Sequence, residues 1–264
     1  MKNKNQLAVL ILTAIIIGSA ALYGVSFSYG KSSISPYNEI FQVSTWNSFY
    51  NGNFEGKYPI GDLKMYGDTG IGSISGVDGE MMILNGVAYQ AKPDGHIYIV
   101  KNSEKTPFAM VTFFKTDKVV VVNKEMNSTE FEQYLDSILP SKNMFYSFKV
   151  IGTYDNVTAR SVEKQVKPYT TLSEVYKNHQ TVFNFTDING TMVGFWCPAY
   201  ATGVNNNEYH FHFLSADKQD GGHVLDFKTK NVIVEIDYIP NIHVLLPNND
   251  SSLDGSLTMT SSAT

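Results

Sequence analysis

Apolar and polar residues alternate with a period of two along much of this chain, the period that places side chains on opposite faces of a β-strand. The alternation is clearest at Val232, Val234 and Ile236, and from Phe145 to Tyr154, continuing extended through Val157 to Val162. Shorter stretches at 96–100, 109–114, 118–122, 190–195 and 243–246 read the same way. Asn85-Gly86 stands between two apolar runs, Glu80 to Leu84 and Val87 to Tyr89. That dipeptide suits a two-residue hairpin, whose turn needs positive φ at both positions. Helical periodicity is scarce. Phe131, Tyr134, Leu135, Ile138 and Leu139 share one face between Asn127, a capping residue followed three positions later by Glu130, and the stop at Pro140. A shorter helix is expected from Thr171 to His179, with Leu172, Val175 and Tyr176 inward. The pattern predicts a predominantly β protein of the α+β class with few helices.

The first thirty residues break this pattern. Lys2 and Lys4 precede an apolar run from Leu7 to Val25, which is followed by the small and polar Ser26-Phe27-Ser28. Such a segment reads as an export signal or an N-terminal membrane anchor, with the remainder of the chain outside the membrane. Residues 31–247 then form one catalytic-sized domain, and 248–264 a polar Ser/Thr tail expected to fray. Membrane contact is expected only through the N-terminal segment.

Composition narrows the choice of partner. With 43% hydrophobic and 17% charged residues the chain belongs among globular proteins. The net charge of −5, without a basic stripe, argues against nucleic acid. The single cysteine, Cys197, ends an apolar run in Phe195-Trp196-Cys197-Pro198, so a disulfide within the chain and a thiolate metal cluster are both excluded. Cys197 is read as a buried structural residue.

The densest chemistry lies in Tyr209-His210-Phe211-His212-Phe213, a polar turn from Ser215, and Gly221-Gly222-His223. On a strand His210 and His212 share one face, while Tyr209, Phe211 and Phe213 take the other, toward a core. A chain that doubles back at Ser215 carries His223 toward them. Three imidazoles from two adjacent strands hold a divalent ion and leave it a coordination position for substrate. The plainer alternative is a pair of polar residues on a wet strand face. His96, His179 and His243 are scattered and read as surface residues.

Taken together, these residues resemble the α-acetolactate decarboxylase family. The likeness is carried by Gly70-Ile71-Gly72-Ser73, Asp78-Gly79-Glu80, Thr106-Pro107-Phe108, Leu139-Pro140-Ser141-Lys142-Asn143, Arg160 ahead of Gln165-Val166-Lys167-Pro168-Tyr169, Gly190-Thr191-Met192-Val193-Gly194-Phe195 and the histidine stretch. The resemblance implies a mixed β-sheet N-terminal part packed on a small antiparallel β-barrel, commonly as a homodimer. It implies one Zn²⁺, or another divalent ion, on His210, His212 and His223. It implies decarboxylation of 2-acetolactate to acetoin and CO₂, with the ion stabilising the enolate. Glu80 would take an acid/base role or else contact the metal, Arg160 would hold the substrate carboxylate or its polar neighbours, and Ser73, in place of a threonine, would orient substrate. The family commonly adds a glutamate from its C-terminal tail, whereas the tail here offers only Asp250 and Asp254. Two other readings stand beside this one: an exported β-rich binding protein without activity, and a cupin-like metal oxygenase. A cupin would place a glutamate four or five residues beyond His-x-His, where this chain has Leu214-Ser215-Ala216-Asp217.

Overall fold

The computed structural model describes residues 36–246. Short strands come first: β1 (Glu39–Val43), β2 (Tyr58–Pro59), β3 (Thr69–Ser73), β4 (Glu80–Leu84), β5 (Val87–Ala91), β6 (Ile97–Ile99), β7 (Lys105–Thr106) and β8 (Ala109–Thr112). Next are β9 (Lys118–Val122), β10 (Met126–Asn127), β11 (Phe145–Val162), β12 (Gln180–Cys197), β13 (Glu208–Ser215), β14 (Gly221–Ile239) and β15 (Asn241–Leu245). Among the described residues four α-helices interrupt them: α1 (Trp46–Tyr50), α2 (Ile60–Leu63), α3 (Ser128–Ile138) and α4 (Leu172–Asn178).

The first sheet has seven strands in the order β15-β1-β8-β3-β4-β5-β6. It is mixed, because β15 runs parallel to β1 while the other pairs are antiparallel. The hairpin expected at Asn85-Gly86 joins β4 to β5, with φ of 52° and 77° at the two turn residues. The second sheet is antiparallel, ordered β10-β14-β11-β12-β13, with β9 along β14. Its long strands bury alternate residues, including Tyr146, Phe148, Val150, Phe211, Phe213, Val234 and Ile236, against Phe131 and Leu135 of α3. The capping box read at Asn127 and Glu130 is formed, and α4 starts on a Thr171 cap.

Two features depart from the sequence reading. The 190–195 stretch is the end of an eighteen-residue strand whose first half, from Gln180, has an intermediate and exposed surface that dilutes its apolar signal. The small barrel is not established. Only three residue pairs join β13 back to β14, from Leu214↔Gly221 to His212↔His223, and the ladder goes no further toward Glu208. Residues 39–50 form β1 and the short helix α1, the latter begun by a Thr45 cap.

A second core lies between the two sheets. Ile71, Met82 and Met110 of the first sheet meet Val193, Phe195 and Leu214 of the second. The far face of the first sheet is covered by Ile60 and Leu63 of α2, over Met81, Ile83 and Val111. Among the described residues no helix is long and apolar enough to cross a membrane. The expected export or anchor segment at 1–30, and the tail with Asp250 and Asp254, lie outside the described residues.

Candidate metal centre and its surroundings

The site forms where the two sheets face each other. On β13, His210 and His212 share a face with Leu214 and turn toward the first sheet, while Tyr209, Phe211 and Phe213 pack into the α3-side core. Directly across from His212 stands His223 of β14, and directly across from His223 stands Arg160 of β11. Opposed residues on neighbouring strands project on the same side of a sheet, so one lateral row carries all three side chains.

One ring nitrogen from each histidine lies within 4.8 Å of the others. His210 Nε2 is 3.1 Å from His223 Nδ1, which is 3.4 Å from His212 Nε2. Nitrogens held about 2.0–2.1 Å from a tetrahedral ion stand about 3.3 Å apart. The other ring nitrogen of His212, Nδ1, lies 2.9 Å from the Met81 carbonyl. A donor there fixes the tautomer and turns the Nε2 lone pair into the cluster, the usual backing of a metal-bound imidazole. Burial, followed by the nearby Arg160 charge, holds His210 down to about 4. Burial likewise places His212 and His223 well below the usual histidine range. Three neutral imidazoles are the form that binds a metal, so this donor set fits a divalent ion.

Glu80 opens β4 and faces the same space, its Oε2 3.6 Å from His212 Nε2. Burial pushes its carboxyl up to about 7, against the pull of Arg160. Ser73 lies opposite Glu80 in the β3–β4 ladder, and its hydroxyl donates to the Gly79 carbonyl at 2.9 Å. That bond ties Ser73 to the turn that presents Glu80. A cleft of about 140 Å³ between the diverging ends of β13 and β14 reaches His210 and His223, with Ser128 and Glu132 of α3 at its rim.

Thus Glu80, Arg160, His210, His212 and His223 come together, with Ser73 beside them. Three aromatic neighbours were not singled out by the sequence. Trp46 of α1 meets His210 edge-on at 6.2 Å between centroids. The Arg160 guanidinium carbon lies over the ring of Tyr176 of α4, 3.5 Å from its centroid. Burial raises the Tyr176 hydroxyl against the pull of Arg160, and the nearby Tyr50 of α1 adds to the rise. The only sequence signal for Tyr176 was its inward position on a short helix. His96, His179 and His243 lie away from the cluster, the last two in surface contacts with Glu163 and Glu39. Cys197 is buried, as read.

Comparison with known proteins identifies relatives of the whole described fold. The family model described as Alpha-acetolactate decarboxylase matches residues 40–258. The chain is 36% identical to the alpha-acetolactate decarboxylase of Bacillus subtilis (strain 168), over 84% of this chain and 87% of that protein. It is 45% identical to that of Methanosarcina mazei, over 72% of this chain and 65% of that protein. The crystal structure of the Bacillus subtilis protein superposes with a TM-score of 0.82, covering 84% of this chain and 94% of that one. With a match that spans most of its length and relatives above the level at which fold and chemistry are shared, the chain belongs to the alpha-acetolactate decarboxylase family and is a carboxy-lyase.

Proposed function

We propose that this protein converts 2-acetolactate to acetoin and CO₂ at the centre formed by His210, His212 and His223. The observation that carries the reading is the convergence of three imidazoles, two of them buried and the third half-buried, with one carboxyl and one guanidinium in a chain of this family. Loss of CO₂ leaves an electron pair on the former α-carbon, and the adjacent ketone must accept it as an enolate. A divalent cation, zinc in our reading, held by His210 Nε2, His212 Nε2 and His223 Nδ1 would supply Lewis-acid stabilisation of that charge.

The chain's own groups do the rest. Arg160 holds the substrate carboxylate with its N–H fork before the C–C bond breaks. Glu80, buried on the first sheet beside His212, holds the proton that the enolate carbon takes up to give acetoin. Ser73 supports the Glu80 turn and adds a hydroxyl on the same face. Glu80 and His212 are buried between the opposing sheets, and a low local dielectric strengthens the electrostatic contacts they make. A homodimer, and export by way of residues 1–30, belong to the same proposal; family resemblance supports the first and the apolar run supports the second.

The test is metal content and product formation measured on one preparation of purified protein supplied with racemic 2-acetolactate. Acetoin and CO₂ in equal amounts, lost on chelation and restored by zinc, are expected. A fully metal-loaded protein that forms no acetoin overturns the proposal.

A further inference from the structure

Arg160 presents an unusual problem of placement. Its Nε is buried and has no hydrogen-bond partner among the described residues. The Glu80 carboxylate lies against His212. An arginine side chain left without partners loses rotamer freedom on binding substrate, and that loss weakens recognition. Among the described residues, the guanidinium lies over the face of the Tyr176 ring, its carbon 3.5 Å from the centroid.

We infer that Tyr176 is the positioning residue for carboxylate recognition, acting by holding the Arg160 guanidinium flat with its N–H edge toward the substrate. The inference rests on the carboxylate-binding role proposed above for Arg160. A stacked aromatic ring suits this task better than an acidic partner. It restrains the guanidinium plane through the ring's negative face while using none of the in-plane N–H donors. An acid at the same place would consume those donors and neutralise the charge. The ring is itself well anchored. Leu172 and Val175 of α4 are buried in the inter-sheet core, Tyr176 packs against that core, and the helix is started by the Thr171 cap.

The test uses the full chain loaded with zinc and two probes. One is 2,3-dihydroxy-2-methylbutanoate, which keeps the carboxylate and hydroxyl of the substrate but has no ketone and cannot decarboxylate. The other is acetoin, which has no carboxylate. Arg160→Ala serves as the reference. Tyr176→Phe keeps the ring and should change the inhibition constant of the carboxylate probe by less than about threefold, whereas Tyr176→Leu should weaken it about tenfold. Tyr176→Met, of similar bulk and without a ring, gives the same reading should the leucine variant fail to fold. Inhibition by acetoin and zinc content should stay unchanged in all the Tyr176 variants. The inference is overturned if the ring-less variants bind the carboxylate probe as the parent does, or if they lose acetoin and the carboxylate probe equally, since a general structural defect would do that. If Arg160→Ala itself leaves the carboxylate probe unaffected, the role of Arg160 fails and the inference fails with it.

Discussion

His223 has the most demanding position of any residue in the site, because its Nδ1 lies near both other ligand nitrogens. His223→Ala and His210→Ala should each lose bound metal and activity together while the chain stays folded, checked by metal analysis beside circular dichroism. These rings contribute little to the apolar cores, so their removal leaves the packing of both sheets in place. Arg160→Lys should behave differently. An ammonium keeps the charge but cannot reproduce the planar fork or lie over Tyr176 in the same way, and a charged hydrogen bond lost in the transition state lowers kcat/KM about 100-fold. Zinc content should be unchanged in that variant.

At the scale of the element, strand irregularities aim the site residues. Along β11, Tyr146, Phe148, Val150 and Tyr154 face the core beneath α3. The ladder slips between Tyr154 and Asn156, and beyond the slip Val157 and Ala159 face that core instead. The change of phase turns Arg160 to the other face with Val162, toward Glu80 and the histidines. An unbroken strand would have pointed Arg160 into the apolar interior. On β14, Gly222 takes φ 149°, and a Cβ there would stand 2.5 Å from the Arg160 carbonyl oxygen. Gly222→Ala should therefore push β14 away from β11 just before His223. We expect a loss of about 1–3 kcal/mol in stability and weaker zinc binding, read by denaturant unfolding and by competition with a chelator.

Across the whole molecule, the two sheets also meet at a buried carboxyl remote from the histidines. Asp237 of β14 is fully buried and accepts the Lys115 amide at 3.2 Å, and its Oδ1 has no partner among the described residues. Burial pushes it up to about 7 from the ordinary 3.8. The folded protein thus keeps a proton that the unfolded chain releases. The resulting stability is complete below the ordinary aspartate range and is lost as pH rises through about 7. Asp237→Asn should remove that dependence. Between about pH 5 and about pH 8 the parent's Tm should fall several degrees more than the variant's, and a parallel course for both would refute the assignment.

Much of this molecule was legible along the chain. Period-two alternation located most strands, Asn85-Gly86 located a hairpin, and Asn127 with Glu130 located the one long helix, because each signal is local. The same alternation placed His210 and His212 on one face, and the turn after Ser215 brought His223 back to them. Glu80 and Arg160 carried no local signal and entered only through resemblance. The first begins an apolar strand and the second follows a bulge, so neither alternation nor charge reveals where it points. Tertiary structure alone decided that β4 of one sheet lies over β13 of the other, that Arg160 turns toward the ligands, and that Tyr176 lies under it. Those outcomes depend on which faces of two sheets pack together. Local preference along the chain is blind to that choice, because the same alternation would satisfy either face.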